Sequence, residues 1–409
     1  MPEFLTLLPP DNARALLLSN LTAPLPVSQA IETNSALNRV TAEDIRAPHP
    51  LPEFQRTTVD GYAVRARDTF GASETLPAYL KLVGEVPMGD SPAFTLNPGE
   101  CALIHTGGML PPGADSVVML EYTQPVDQEI EILRAVADGE NIIRIGEDVA
   151  QGQVVLPQGS LLRPAEIGGL MALGITNLRV VARPKVALLS TGDEVIDPAR
   201  HPRPGQVRDI NTFTLASLIE KAGGEPVRYG IIPDQFDTLQ KTAARALQEC
   251  DVVIITAGSS ASTRDMTAQV IGTLGAPGVL VHGLNTRPGK PTILGVCGGK
   301  AVIGLPGNPV SALVNGYMMV VPVIERLLGQ NPRPRPSLRA RLTLNLASQA
   351  GREDWWPVKL LPSSDGWSAE PIFGKSNLIF TLAAADGLIK IHADATGLAA
   401  GEMVEVFFM

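Results

Sequence analysis

Cysteine is scarce in this chain. Cys101, Cys250 and Cys297 lie far apart with no CxxC pair, which removes the spacing that a zinc site or a thioredoxin-like motif needs. Without a disulfide framework, a reducing compartment is expected. Net positive charge is missing too. The 33 basic and 42 acidic residues leave −9, the wrong sign for a general nucleic-acid binder, although local basic pockets stay open. The start, "MPEFLTLLPPDNARALLL", has no basic stretch ahead of a continuous apolar core, so no secretory leader is expected. The most apolar segment, "SALVNGYMMVVPVIERLLG", contains Asn315 and Pro322 and reads as too short before Glu325 to span a bilayer. The five histidines, His105 and His282 among them, show no metal-ligand spacing, and no Ser/His/Asp triad or GxSxG elbow is visible. The expectation is a soluble cytoplasmic protein with neither a membrane nor a nucleic-acid partner.

Apolar residues, at 44%, suffice for a sizeable interior, and 409 residues suggest two or three domains. Glycine (39) and proline (35) are plentiful while aromatics reach only 4%, which points to turns and short strands rather than a helical bundle. Residues 183 to 329 alternate strand and helix patterns. "KVALL", "VRYGII", "DVVII", "GVLVH", "PTILG" and "AVIG" read as strands. "NTFTLASLIEKAGG" reads as a helix capped by Asn211, with Leu215, Leu218, Ile219 and Ala222 on one face. "DTLQKTAARALQEC" reads as a helix capped by Asp237, and "NPVSALVNGYMM" as one capped by Asn308. Such alternation predicts a mostly parallel sheet covered on both faces. "QNPRPRPS" reads as a linker to a small β-rich C-terminal domain, and short strands dominate before residue 183.

Ligands of such sheets sit at the carboxyl ends of the strands. That rule gathers four loops, "STGDEV", "PDQFD", "TAGSSASTRD" and "LPGNPVS". In "LPGNPVS", Gly307, Asn308 and Ser311 surround a helix start whose free N–H groups favour an anion; plain helix capping is the alternative. In "STGDEV", the adjacent Asp193 and Glu194 cannot face one way on a strand, so one caps a turn while the other points into the crevice. The small residues of "TAGSSASTRD" suit a phosphate or a flat ring, or form a simple flexible loop. This loop lacks the lysine of a P-loop. Asp265 and Glu194 together suit Mg²⁺, which takes one or two carboxylates plus substrate phosphates. "NTRPGKP" offers Arg287 and Lys290 to a phosphate, or is an exposed basic turn. Asp60 in "TTVDGYAV" reads as an Asx turn or a functional carboxylate. As a set, these pieces fit phosphate-ester chemistry assisted by a divalent ion.

"TTVDGYAVRARD", "IHTGGMLPPGADSVVMLEYT", "RIGEDVAQGQVVLPQG", "LLSTGDEVI", "RPGKP" and "GLPGNPVSA" occur in this order along nearly the whole chain. Together they resemble the molybdopterin molybdenumtransferase family, MoeA and the gephyrin E-domain. The resemblance implies a multidomain fold: a mostly parallel α/β molybdopterin-binding domain, an elongated β-rich N-terminal half and a small C-terminal β-barrel-like domain. The expected divisions are an N-terminal helical segment over 1–25, a connecting β/α domain over 26–50 and 146–182, a β-rich domain with the DGYA motif over 51–145, the α/β domain over 183–329, and the C-terminal domain over 338–409. It also implies a transferase that inserts molybdenum from molybdate into adenylylated molybdopterin, with Mg²⁺ as cofactor and AMP released. A homodimer is implied, with each active site shared between subunits. A molybdopterin adenylyltransferase and molybdoenzyme chaperones are the implied partners. By the same resemblance, Asp60, Glu194 and Asp265 are the metal and catalytic carboxylates and Lys290 is catalytic. Thr106, Arg144, Thr191, Gly192, Asp193, Asp209, Asn211, Gly258, Ser259, Ser260, Arg287, Pro306, Gly307, Asn308 and Ser311 bind the substrate.

The chain departs from the family pattern at four places. "AGSSAST" replaces "SGGVSxG", Arg287 replaces the first Lys of "KPGKP", Asp234-Gln235 replaces an Asp pair, and Asp209-Ile210-Asn211 lacks the usual central hydroxyl. A non-catalytic carrier or sensor of the same fold is the alternative reading, distinguished by pterin binding without AMP release. An adenylyltransferase, marked by ATP-dependent adenylylation, and a structural scaffold are further alternatives.

Overall fold

The structure is a computed structural model that describes residues 7–22, 27–257 and 261–409, without the side chains of 261–264. Helix α1 (Pro10–Asn20) opens the described chain. A six-stranded sheet follows, built from β1 (Gly61–Val64), β2 (Ala78–Val86), β3 (Glu100–Ile104), β4 (Ser116–Met119), β5 (Thr123–Val126) and β6 (Glu129–Ile132), in the order β4-β1-β3-β2-β6-β5. Helix α2 (Pro164–Ala172) begins at a proline, and Gly174 just beyond it has φ +67, as a helix terminator requires. Residues 28–32 and 177–181 pair antiparallel beside it.

The central domain holds β7 (Lys185–Thr191), α3 (Asn211–Lys221), β8 (Glu225–Ile232), α4 (Phe236–Glu249), β9 (Val252–Ala257), α5 (Ala261–Thr273), β10 (Pro277–His282), β11 (Thr286–Arg287), β12 (Ile293–Cys297), β13 (Lys300–Pro306), α6 (Pro309–Asn315) and α7 (Val321–Leu327). Its sheet runs β8-β7-β9-β13-β12-β10; the first four strands are parallel and the last two antiparallel. The period of two splits the apolar run between two cores. Val186, Leu188, Val252 and Ile254 pack toward α3, α6 and α7, together with Ala13 and Leu17 of α1. Ala187, Leu189, Val253 and Ile255 pack toward α4 and α5. Both edge strands carry a proline, Pro226 in β8 and Pro277 in β10, where a missing N–H is tolerated.

Three local expectations are corrected. Asn211 does not cap α3; it is the first helical residue, and the Asp209 carboxylate accepts the Thr212 N–H at 3.1 Å instead. Asp237 lies inside the first turn of α4, which is preceded by Gln235. Asn315 and Pro322 do not interrupt the apolar helix. Residues Pro309–Leu327 run on through a π turn at Gly316–Val320, and Pro322 sits at the start of α7, where its missing N–H does least harm. This 19-residue stretch is long and apolar enough to cross a membrane, yet 67% of it is buried inside the protein.

The C-terminal strands β14 (Ser337–Leu342), β15 (Glu353–Ser363), β16 (Gly366–Pro371), β17 (Gly387–Ile391) and β18 (Met403–Phe407) close on themselves through β15–β17 pairing. The short strand β11 of the central domain pairs parallel to β15, Thr286 with Glu353 and Arg287 with Asp354. That pairing brings the barrel to the carboxyl-end loops of the sheet.

Candidate active site

The four loops singled out in the sequence do leave the carboxyl ends of the parallel strands β7, β8, β9 and β13. Two cavities open there. The larger, about 710 Å³, lies between the turn after β11, the start of α6 and the barrel. Four cationic side chains line it: Arg287 and Lys290 from the turn, and Arg352 and Lys375 from the barrel. Pro306, Asn308 and Ser311 supply the opposite wall, and Trp355 and Trp356 supply an aromatic one. The Arg287 guanidinium lies 5.5 Å from the Trp356 ring centroid. Arg352 grips the buried Asp354 carboxylate through Nε (2.7 Å) and Nη2 (3.1 Å), and Arg287 Nη1 reaches the same carboxylate at 3.9 Å. One buried acid therefore orients two arginines from different domains. A pocket with this excess of donors and cations suits a small oxyanion.

The smaller cavity, 270 Å³, lies on the other side of Asn308 and Asn377, which line both. Thr191, Glu194, Arg208, Asp209, Asn211 and Gly307 face it. Among the described residues, Thr191 Oγ1 and Asn211 Oδ1 are buried there without a well-formed hydrogen bond, while Asn211 Nδ2 holds the Gly307 carbonyl at 2.9 Å. Unpaired buried polar atoms at a cavity wall are places a ligand can satisfy. Glu194 lines the crevice, whereas Asp193 accepts the Asp234 backbone N–H at 3.2 Å, the division of labour expected of the pair. Gly192 has φ +138, and a Cβ there would come within 2.8 Å of Glu194 Oε2, so glycine lets the carboxylate fold back over its own turn. Burial raises the Asp234 carboxyl pKa, and the nearby Asp193 and Glu194 carboxylates push it further. Thr191 lies close enough to favour the charged form of Asp234, but no well-formed bond joins the two.

Asp60 lies elsewhere in the chain, fully exposed just ahead of β1. Its Oδ1 accepts the Thr106 N–H at 2.7 Å and the Thr106 hydroxyl at 3.0 Å, which hold its carboxyl below the usual range. Arg144 is exposed, 3.7 Å from Asp138, and lines neither cavity. Asp265 is exposed on α5. Gly258, Ser259 and Ser260 lie outside the described residues. Among the described residues no three His, Cys, Asp or Glu side chains gather closely enough to hold a metal ion, so Asp60, Glu194 and Asp265 do not assemble within one chain. Sequence reasoning missed Arg352, Lys375, Ser376 and the two tryptophans. "GREDWW" and "FGKSN" were the available signals, but only the β11–β15 pairing ties them to the sheet.

Three family models match in succession: the MoeA N-terminal region (domains I and II) over residues 8–174, a probable molybdopterin binding domain over 187–326, and the MoeA C-terminal region (domain IV) over 339–409. A putative molybdopterin biosynthesis protein of Methanocaldococcus jannaschii is 36% identical over 415 residues, covering 98% of each chain. The chain belongs to the MoeA family. A molybdopterin molybdenumtransferase of Haemophilus influenzae is 36% identical over 84% of each chain. The crystal structure of a MoeA molybdopterin biosynthesis protein from Pyrococcus horikoshii OT3 superposes with a TM-score of 0.86 at 32% identity, covering 99% of this chain and 100% of that one. The motif resemblance and the fold class it implied, a mostly parallel α/β domain with β-rich neighbours and a C-terminal barrel, are borne out.

Proposed function

We propose that this protein is a molybdopterin molybdenumtransferase, an enzyme of molybdenum cofactor biosynthesis. It inserts molybdenum from molybdate into adenylylated molybdopterin and releases AMP. The observation that carries this reading is the pair of adjoining cavities of different character. The cationic one suits molybdate. The carboxylate-lined crevice, with unpaired Thr191 Oγ1 and Asn211 Oδ1, suits the pterin and its phosphates.

Arg287, Lys290, Arg352 and Lys375 neutralise the oxyanion, and the two arginines are already aimed by Asp354. Glu194 and Asp234 are the carboxylates that would hold Mg²⁺. Their crowding with Asp193 leaves negative charge that a divalent ion relieves. Two carboxylates plus substrate phosphates suit that ion, which, when bound, polarises the diphosphate. Lys290 and Arg287 offset charge that builds as the phosphoanhydride P–O bond breaks. An oxygen of molybdate or water attacks phosphorus, and AMP departs, so no side-chain nucleophile is required.

The same reading makes the protein a homodimer in which Asp60 and Thr106 face the partner's crevice. The exposed Ile210 and Phe213 around α3, beside an apolar cavity of about 470 Å³, support a buried subunit interface. A molybdopterin adenylyltransferase supplies the substrate, and the reaction belongs in the cytoplasm. Incubation with adenylylated molybdopterin, Mg²⁺ and molybdate should release AMP and yield cofactor that activates an apo-molybdoenzyme. Tight pterin binding without AMP release would instead make the protein a carrier or sensor.

A further inference from the structure

Asn315 is fully buried in the helical core, between Val314 and Gly316, at the point where α6 passes into the π turn. π turns inside helices cluster at functional sites. The Asn315 Nδ2 donates to two carbonyls, Ser311 O at 2.8 Å and Pro288 O at 3.2 Å. Two acceptors on one nitrogen set the orientation of the amide. The acceptors belong to opposite walls of the 710 Å³ cavity. Ser311 lies in the first turn of α6, and Pro288 stands between Arg287 and Lys290. One buried side chain thus ties the helix start to the basic turn.

The turn is built to accept this tie. Gly289 has φ +103, and a Cβ there would lie 1.5 Å from Asn315 Nδ2, so only glycine lets the turn settle onto the amide. Beyond it, Thr292 N–H and Oγ1 both bond Gly289 O (3.2 and 2.8 Å), and Leu284 N–H bonds Lys290 O at 2.8 Å. The Pro288 carbonyl lies in the segment that carries both cations, and Asn315 anchors it. The other half of the amide gains nothing: among the described residues Oδ1 is buried without a partner. A leucine of similar volume would avoid that unfavourable desolvation, so the Nδ2 contacts are what the asparagine contributes.

We propose that Asn315 is a positioning residue for the cationic pocket: it sets the height of Arg287 and Lys290 relative to the start of α6, and so the affinity for the oxyanion. This inference rests on reading that pocket as the oxyanion site. The test replaces the amide with an apolar side chain of similar size, Asn315→Leu, with Asn315→Ala as the second variant should leucine not fold. Tungstate is the binding probe, measured by calorimetry on the full chain, and molybdate-dependent AMP release gives the kinetics. The expected result is a roughly tenfold weaker tungstate Kd and a matching rise in KM for molybdate. KM for the pterin substrate should stay within about twofold, and kcat should fall less than threefold. A purely structural role would lower the melting temperature and leave the oxyanion Kd and the KM split unchanged, and that outcome overturns the proposal. Lys290→Ala and Arg287→Ala, measured alongside, separate the two levels. If they lose tungstate while the Asn315 variants keep it, positioning by Asn315 fails alone. If they and the wild type bind alike, or the wild type does not bind, the oxyanion assignment fails first.

Discussion

Asp234→Asn should make the ligand-free protein more stable and its metal-dependent chemistry worse. Burial, then Asp193, then Glu194, hold the Asp234 carboxyl above its ordinary pKa. A carboxyl whose folded-state pKa is raised favours the folded state at low pH, and that contribution is lost as pH rises through the raised value. At neutral pH the charge therefore opposes folding, and a neutral amide of the same shape removes the opposition. Each pKa unit corresponds to about 1.4 kcal/mol, but the residue is partly open to solvent, which screens the repulsion. The gain should stay within about 1 kcal/mol, the scale of solvent-screened charge interactions, or at most roughly 2–4 °C for a unit of this domain's size. All three tryptophans, Trp355, Trp356 and Trp367, sit in the C-terminal barrel, so fluorescence would miss the effect. Calorimetry or hydrogen exchange at the amides of β7, β8 and β9 reads the right domain. The stabilisation should vanish as pH falls below the ordinary carboxyl range. Mg²⁺ in the presence of a diphosphate ligand should raise the wild-type transition more than the variant's. A variant no more stable than wild type at pH 7.5, or equally stabilised at every pH, would refute the electrostatic account.

Glu194→Ala should leave folding intact while abolishing AMP release, because it removes one of the two carboxylates that would hold Mg²⁺; normal turnover would remove Glu194 from the mechanism. Thr106→Ala removes one of the two Thr106 bonds to Asp60. The Asp60 carboxyl, now depressed, should rise toward its ordinary pKa, moving the acid limb of the pH–rate profile upward, and an NMR titration of Asp60 would show the same direction. Arg352→Lys keeps the charge but not the fork that grips Asp354. It should weaken oxyanion binding about tenfold and loosen the barrel by about 1–2 kcal/mol, read by tryptophan fluorescence during denaturation.

Most of the central domain was legible because parallel strands buried on both faces leave a continuous apolar run, and Val252 to Ala257 is buried throughout. The carboxyl-end rule then gathered Thr191, Glu194 and Gly307 around one crevice without any help from sequence proximity, whereas Asp209 and Asn211, which line the same crevice, came only from the family resemblance. Capping was less legible, because two side chains compete at the start of α3. Asp209 reaches the free N–H of Thr212, which releases Asn211 to hold Gly307. The continuity of the apolar helix was hidden for a different reason. Pro322 reads as a breaker unless a π turn ahead of it rearranges the hydrogen bonds, and no local pattern announces that turn. The barrel's share of the cationic pocket was beyond local reading altogether. Arg352 and Lys375 reach Lys290 through a two-residue strand pairing, β11 with β15, and through the Ser376 carbonyl, which accepts the Val310 N–H at 3.0 Å.

That division of the pocket between domains bears on how the proposed reaction is made feasible. Molybdate and a diphosphate are both anions, and two unit charges 5 Å apart repel by about 3 kcal/mol at an effective dielectric constant of 20. A single uniformly cationic cleft would bind both but leave them free to sit where each is most comfortable. Here four cations cluster on one side of Asn308 and Asn377, while the other side carries the carboxylates of Glu194 and Asp209 with Arg208 as the one cation among its described residues. One anion is held by side chains directly, and the other requires a cation of its own. The arrangement favours binding both substrates in fixed order across a shared polar wall. It also predicts that raising ionic strength should weaken oxyanion binding on the exposed Arg287 side more than it weakens pterin binding in the narrower crevice. Equal salt sensitivity of the two affinities would mean that the two cavities act as one.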